Sequence, residues 1–156
     1  MWEYIVSFFL AMVPLLELRF AVMYAISKDI HPVIAVILCA IGNMVPVPFI
    51  YLFARKFLLW GSEKRFIGKI CRFFVRKGER AGQKLVGKAG RGGLFVALML
   101  FVGIPLPGTG AWTGTLGASF LNMGIKSTVA SVCLGVVIAG AIIATIFATG
   151  LHILGF

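Results

Sequence analysis

The sequence predicts an all-α integral membrane protein built from two weakly repeated halves in inverted orientation. Each half is expected to be a Pro/Gly-broken, re-entrant helical segment followed by one long transmembrane helix, with a basic amphipathic connector between the halves. Three observations carry this expectation. The 156 residues are 60% hydrophobic with a mean hydropathy of +1.03, more apolar surface than a soluble domain of this size can withdraw from water. The charge is confined to one stretch: residues 55–91 hold twelve Lys/Arg against two acids, a net +10. Finally, residues 103–117 read GIPLPGTGAWTGTLG, a run too apolar for water and too interrupted by proline and glycine for a plain helix. Irregular backbone at membrane depth survives only where protein or a water-filled cavity surrounds it, which makes this run the first place to seek a site.

A single membrane domain is expected over 1–156, divided into a first half (1–54), a cytoplasmic connector (55–91) and a second half (92–156). Residues 4–16 are apolar but short of the roughly 20 that span a bilayer. Pro14, Glu17 and Arg19 then interrupt the pattern before FAVMYAIS resumes, so the segment either dips in and returns or crosses as a broken helix. Lys28 and Asp29 mark a polar turn. From Ile30 to Ala54 runs an uncharged span, with Gly42, Asn43, Pro46 and Pro48 near its middle as the expected kink.

In the connector, Phe66, Ile67, Ile70, Cys71 and Phe74 recur at helical spacing, and Arg65, Lys69, Arg72 and Arg76 form a second stripe. That pattern suits a helix in the headgroup zone of an anionic leaflet; the plainer reading is a solvated basic helix. Gly90, Arg91, Gly92 and Gly93 are expected to form a flexible lead into the second half. There, a helix over Leu94–Val102, a break at 103–110 and a short helix from Ala111 to about Asn122 account for the uncharged run, and residues 127–156 supply the last span. Gly140, Ala144 and Ala148 give that span a small-residue face for close helix packing, within the chain or between copies.

Composition excludes several functions. A pI near 10 would suggest nucleic acid in a soluble protein, but basic residues confined to one loop between apolar blocks follow the positive-inside rule and place the connector in the cytoplasm. Three cysteines, Cys39, Cys71 and Cys133, form neither a CxxC nor a ligand cluster, so neither metal nor disulfide is indicated. The N-terminus MWEYIV lacks the basic region of a cleaved signal and is expected to be retained. No nucleophile–base pair or phosphate loop suggests an enzyme, and no cofactor is implied.

Glu17 and Arg19 are the charges set within an apolar segment, and intramembrane charges are functional candidates because burial costs roughly 2.5–3.5 kcal/mol or more. On a helix, positions i and i+2 diverge and cannot pair; after Pro14 a local extension would bring them to one side. If the segment stays helical, each needs a separate partner, for which 103–117 is the obvious source. The structural alternative puts both charges at the interface, ending a short helix. In the second break, Gly108, Thr109 and Gly110 can aim amides at one point, a helix from Ala111 adds its positive end, Thr113 and Thr115 add hydroxyls, and Trp112 can stack on a guest. The alternative there is tight packing along Gly110, Gly114 and Ala118.

Pro14 followed by Glu17, Leu18, Arg19 and Ala21, then Gly42 and Asn43 with Pro46 and Pro48, then PLPGTGAWTG from Pro105 with a basic stretch between, resembles the small multidrug export protein family of prokaryotes. The cadence from Phe101 to Gly140 is similar, more remotely, to DedA-type membrane proteins. The first resemblance implies efflux and a multi-pass protein of the prokaryotic inner membrane. The second implies paired re-entrant segments and lipid-phosphate translocation, although glycines and threonines stand here where that family has an arginine.

The expected substrate or coupling-ion set is Glu17, Arg19, Asn43, Pro105, Pro107, Gly108, Thr109, Gly110, Trp112 and Thr113. Three functions follow. Glu17 is the protonatable group of an exporter of cationic or amphipathic small molecules, or Arg19 and the Gly108–Gly110 amides hold a lipid phosphate, or the protein is a scaffold whose connector binds anionic lipid. Partners are therefore membrane lipids and a small-molecule or lipid substrate. Two full spans are few to enclose a path, so a homodimer is expected.

Overall fold

The computed structural model describes residues 1–14, 16–62, 76, 87, 90–106 and 109–153. Seven helices are formed by these residues: α1 (Trp2–Met12), α2 (Glu17–Ser27), α3 (Pro32–Met44), α4 (Pro46–Ser62), α5 (Gly90–Gly103), α6 (Ala111–Phe120) and α7 (Ile125–Ile153). No strand occurs among the described residues. At 1.5 Å per residue, the 11 residues of α1 and of α2 reach about 16 Å each, half of a hydrocarbon core of about 30 Å. Two stretches are long and apolar enough to cross a membrane, Pro32–Ala54 and Ile125–Gly150. The first joins α3 to α4 through Val45, whose dihedrals stay helical (φ −56°, ψ −49°), and the bend falls where Pro46 and Pro48 withhold donors.

Helices α2 and α6 stop in the same way. Asp29 (φ 60°) and Asn122 (φ 55°) take left-handed conformations, which short polar side chains tolerate. The Ile30 amide then donates to the Ala25 carbonyl (3.1 Å) and the Met123 amide to that of Ala118 (3.0 Å), the six-to-one bond of a Schellman ending. Each following span opens alike, Ala35 N–H bonding His31 O and Thr128 N–H bonding Gly124 O, both at 2.9 Å.

Packing relies on bare backbone at two crossings. A Cβ on Gly42 would stand 2.5 Å from the Phe8 carbonyl oxygen and 3.3 Å from Ala11 Cβ, so α3 lies directly on α1. A Cβ on Gly135 would stand 2.7 Å from the Met99 carbonyl oxygen and 2.8 Å from Val102 Cβ, so α7 lies directly on α5. α2 packs on α7, α4 packs on α6, and α3 and α7 pack on each other. One core runs through both halves, from Leu18, Val22 and Cys39 to Val102, Ala111 and Val136.

One expectation is corrected. Gly90–Gly93 do not form a flexible lead: all four are already helical, because burial of Leu94 against Ala118 and Met123 supplies the tertiary support that outweighs glycine's poor propensity. The small-residue face of α7 is used inside the chain at Gly140, which meets Val36 of α3 and Leu18 of α2. Of the basic stripe, Arg76 is an exposed helical residue; Arg65, Lys69 and Arg72 lie outside the described residues, as does most of the connector.

Candidate functional site

The two breaks meet, and the charges of the first satisfy the backbone of the second. The first break is compact. Val13 leaves α1 in an extended conformation (φ −76°, ψ 131°), Pro14 offers no amide, and Glu17 N–H reaches back to Val13 O at 2.8 Å. This turn forces Glu17 to φ 47°, a left-handed conformation that costs an ordinary residue about 1–2 kcal/mol. It also aims the carboxylate across the chain into the second half.

The second break runs from Ile104 to Gly110. Leu106 N–H donates to Ile104 O (2.8 Å) and Thr109 N–H to Leu106 O (3.1 Å). The Thr109 hydroxyl lies 2.8 Å from the carbonyls of both Ile104 and Leu106. Arg19 adds further donors to the carbonyls of this stretch. Its guanidinium donates to Leu106 O, to Thr109 O and to Thr109 Oγ1, the last at 2.8 Å. The planar fork of arginine suits several fixed acceptors at once.

Glu17 performs the complementary task. Its Oε1 accepts from Trp112 N–H at 3.4 Å, within the first turn of α6, where helix amides lack partners and a negative charge is favoured. The carboxylate rests against Gly110, and a Cβ there would stand 2.6 Å from Cδ and 2.7 Å from Oε1. Glu17 is buried. Because α2 is helical from Glu17 onward, the carboxylate and the guanidinium point to different partners: Arg19 takes the carbonyls of the second break, Glu17 the amide end of the helix that follows it.

The remaining expected residues divide. Thr109, Gly110 and Trp112 are brought to the two charges, and Pro105 lies within the break between Ile104 and Leu106. Thr113 faces away: it is exposed and lines an apolar pocket of about 270 Å³ between α5 and α6, with its hydroxyl 3.4 Å from Gly110 O. Pro107 and Gly108 lie outside the described residues. Asn43 is 1% exposed at the end of α3. Its Oδ1, together with Thr115 Oγ1 and Trp112 Nε1, is buried without a hydrogen-bond partner, an arrangement that native proteins rarely leave unanswered.

Thr115 and Tyr51 are absent from the expected set. Thr115 follows Ala111 by one turn on α6, and one turn further the Ser119 hydroxyl lies 3.4 Å from Tyr51 O; the Tyr51 hydroxyl donates to Met123 O. Hydroxyl residues at four-residue spacing on α6 were the available signal. Among the described residues, no three His, Cys, Asp or Glu side chains gather as a metal-holding group.

A model of the family described as "Putative small multi-drug export protein" matches residues 17–142, a range that opens on Glu17, encloses the span Pro32–Ala54 and the second break, and ends within α7. No curated protein and no solved structure matches the chain. Two helices able to cross a bilayer, the paired breaks and this match agree on a membrane protein, and the chain belongs to the small multi-drug export protein family.

Proposed function

We propose that the protein is a secondary exporter in which Glu17 is the coupling group, carrying a proton and a cationic or amphipathic substrate in alternation. The observation that carries this reading is the commitment of the neighbouring charge: Arg19 spends its donors on Leu106 and Thr109, whereas the buried Glu17 carboxylate accepts one long bond from Trp112. A group with acceptor capacity left at the junction of the two halves can take a proton or a cation. An arginine already engaged offers little to a phosphate, which favours efflux over lipid-phosphate translocation.

We further propose that the halves are inverted repeats with re-entrant breaks, a plan that puts transport sites at the repeat interface. The support is a set of matched features at one constant interval along the chain: Glu17 with Gly110, Asp29 with Asn122, Ala35 with Thr128 and Gly42 with Gly135. In this plan the connector is cytoplasmic, in the inner membrane of a prokaryotic cell. A second copy covers the apolar furrow of about 1090 Å³ between α3 and α7, lined by Ile37, Met44, Val129 and Val137.

The deciding experiment is transport by purified protein in vesicles under an imposed pH gradient, with a panel of cationic amphiphiles. Glu17→Gln is expected to reduce coupled transport to the empty-vesicle level and Glu17→Asp to retain part of it. Wild-type turnover by Glu17→Gln would reject the coupling role, and a scaffold would be indifferent to both changes.

A further inference from the structure

The two halves differ in one respect that their matched backbone hides. α2 packs on α7 and α6 packs on α4, and these interfaces correspond in the proposed repeat. On the α2 side Leu18, Val22, Ala25 and Ile26 share one apolar core with Val136, Ile143 and Phe147 of α7, and Leu18 lies against Gly140. The same positions in the other half are Ala111, Thr115, Ala118 and Ser119 on α6 and, on the span that follows, Asn43 at the end of α3 with Val47, Ile50 and Ala54 on α4. Asn43, Val47, Ile50 and Ala54 recur at helical spacing and all are buried, one face of the continuous span. Polar groups thus replace apolar ones at three of these positions, and Tyr51 adds its carbonyl beside Ser119.

These groups follow one another along α6 and α4. α6 opens at Glu17's carboxylate; Thr115 lies one turn below Ala111, Ser119 a further turn on, and Tyr51 ties to Met123 where α6 ends. α4 continues from this level toward residue 62 and the connector. Two oxygens, Thr115 Oγ1 on α6 and Asn43 Oδ1 at the end of α3 just before α4, belong to residues 0% and 1% exposed and have no hydrogen-bond partner. In an apolar medium such atoms call for water or a polar guest. The matched α2 and α7 positions Leu18, Val22, Ala25, Ile26, Val136, Gly140, Ile143 and Phe147 carry no polar side chain.

We propose that the α4–α6 interface is a hydrated seam that conducts protons between Glu17 and the connector side of the membrane, while the α2–α7 interface is a dry seal toward the opposite side. Water held by Asn43, Thr115 and Ser119 accepts and passes on the proton; no side chain other than Glu17 changes its charge. The inference rests on the coupling role of Glu17 and on the repeat, but its test reads water directly and requires no transport.

In a background with Cys39, Cys71 and Cys133 replaced, Thr115→Cys and its counterpart Val22→Cys are each exposed to silver ion, a probe little larger than water, from the connector side of oriented vesicles. Thiols left free are then counted with maleimide after denaturation. Thr115→Cys is expected to react at least tenfold faster than Val22→Cys, and Ser119→Cys, nearer the surface, faster still. Protection of both Thr115→Cys and Ser119→Cys, or equal reactivity of Val22→Cys, would overturn the proposal. Reactive thiols in a protein whose Glu17→Gln form transports normally would leave the seam standing and remove only the coupling role.

Discussion

The carboxylate of Glu17 lies so close to Gly110 that any side chain at position 110 would enter it, a Cβ falling 2.6 Å from the carboxyl carbon. The glycine is required by its neighbour and not by its own backbone, which is fully extended (φ 172°). Gly110→Ala must therefore expel the carboxylate or push α6 away from α2. Overpacking of this kind costs about 1–3 kcal/mol. The variant is expected to unfold earlier in detergent and to transport no better than Glu17→Gln. Gly117→Ala, where a Cβ meets nothing within 4 Å, serves as the control on the same helix and should match the wild type in both measurements.

Arg19 ties the second break to α2 through two carbonyls and a hydroxyl. Hydrogen bonds from a charged donor contribute about 1.5–3 kcal/mol each when their loss strands a partner, so Arg19→Ala should destabilise the protein by at least that amount. Arg19→Lys keeps the charge but not the fork and is expected to recover less than half of the loss. Thr109→Val removes one acceptor, at about 1 kcal/mol. Since the two side chains touch, their effects should be non-additive in a double-mutant cycle measured by chemical unfolding; strict additivity would mean that the contact carries no energy.

Gly42 and Gly135 hold equivalent crossings, and both would drive a Cβ into a backbone carbonyl, of Phe8 and of Met99 respectively. A carbonyl inside a helix cannot swing aside as the tip of a flexible side chain can. Gly42→Ala and Gly135→Ala are each expected to cost about 1–3 kcal/mol despite the better helix propensity of alanine. The two crossings share no residue, so the double variant should show the sum within about 0.5 kcal/mol. Thermal unfolding of the four proteins checks both points.

Much of this arrangement is legible in the sequence because breaks leave chemical marks. Pro14 with Glu17 and Arg19, and Pro105 with the following glycines, fall inside apolar stretches where a regular helix would be the default. The i, i+2 spacing of the two charges already separates their partners once α2 is helical. What stays hidden is which backbone groups each charge meets. A glycine-rich break is equally suited to offering amides to an anion and carbonyls to a cation, and only the turn at Ile104–Thr109 decides that Arg19 sees carbonyls. The roles of Gly42 and Gly135 depend on the helix that faces them. That Thr115 and Asn43 are buried with an oxygen unpartnered is hidden as well, since both residue types are common on exposed surfaces.

Helix length yields the last prediction. α1 and α2 contain 11 residues each, about 16 Å of rise, and neither can cross a core of about 30 Å alone. In the proposed re-entrant plan the chain returns to the side it came from, so the N-terminus and the turn at His31 would share one face of the membrane. In that plan the connector, which follows the span Pro32–Ala54, would lie on the other face. In a cysteine-free background, Glu3→Cys and His31→Cys are expected to react with an impermeant maleimide from one side of the vesicle and Arg76→Cys from the other. A full crossing by α1 and α2 would instead put Glu3→Cys with Arg76→Cys, and with it would go the inverted relation of the two halves.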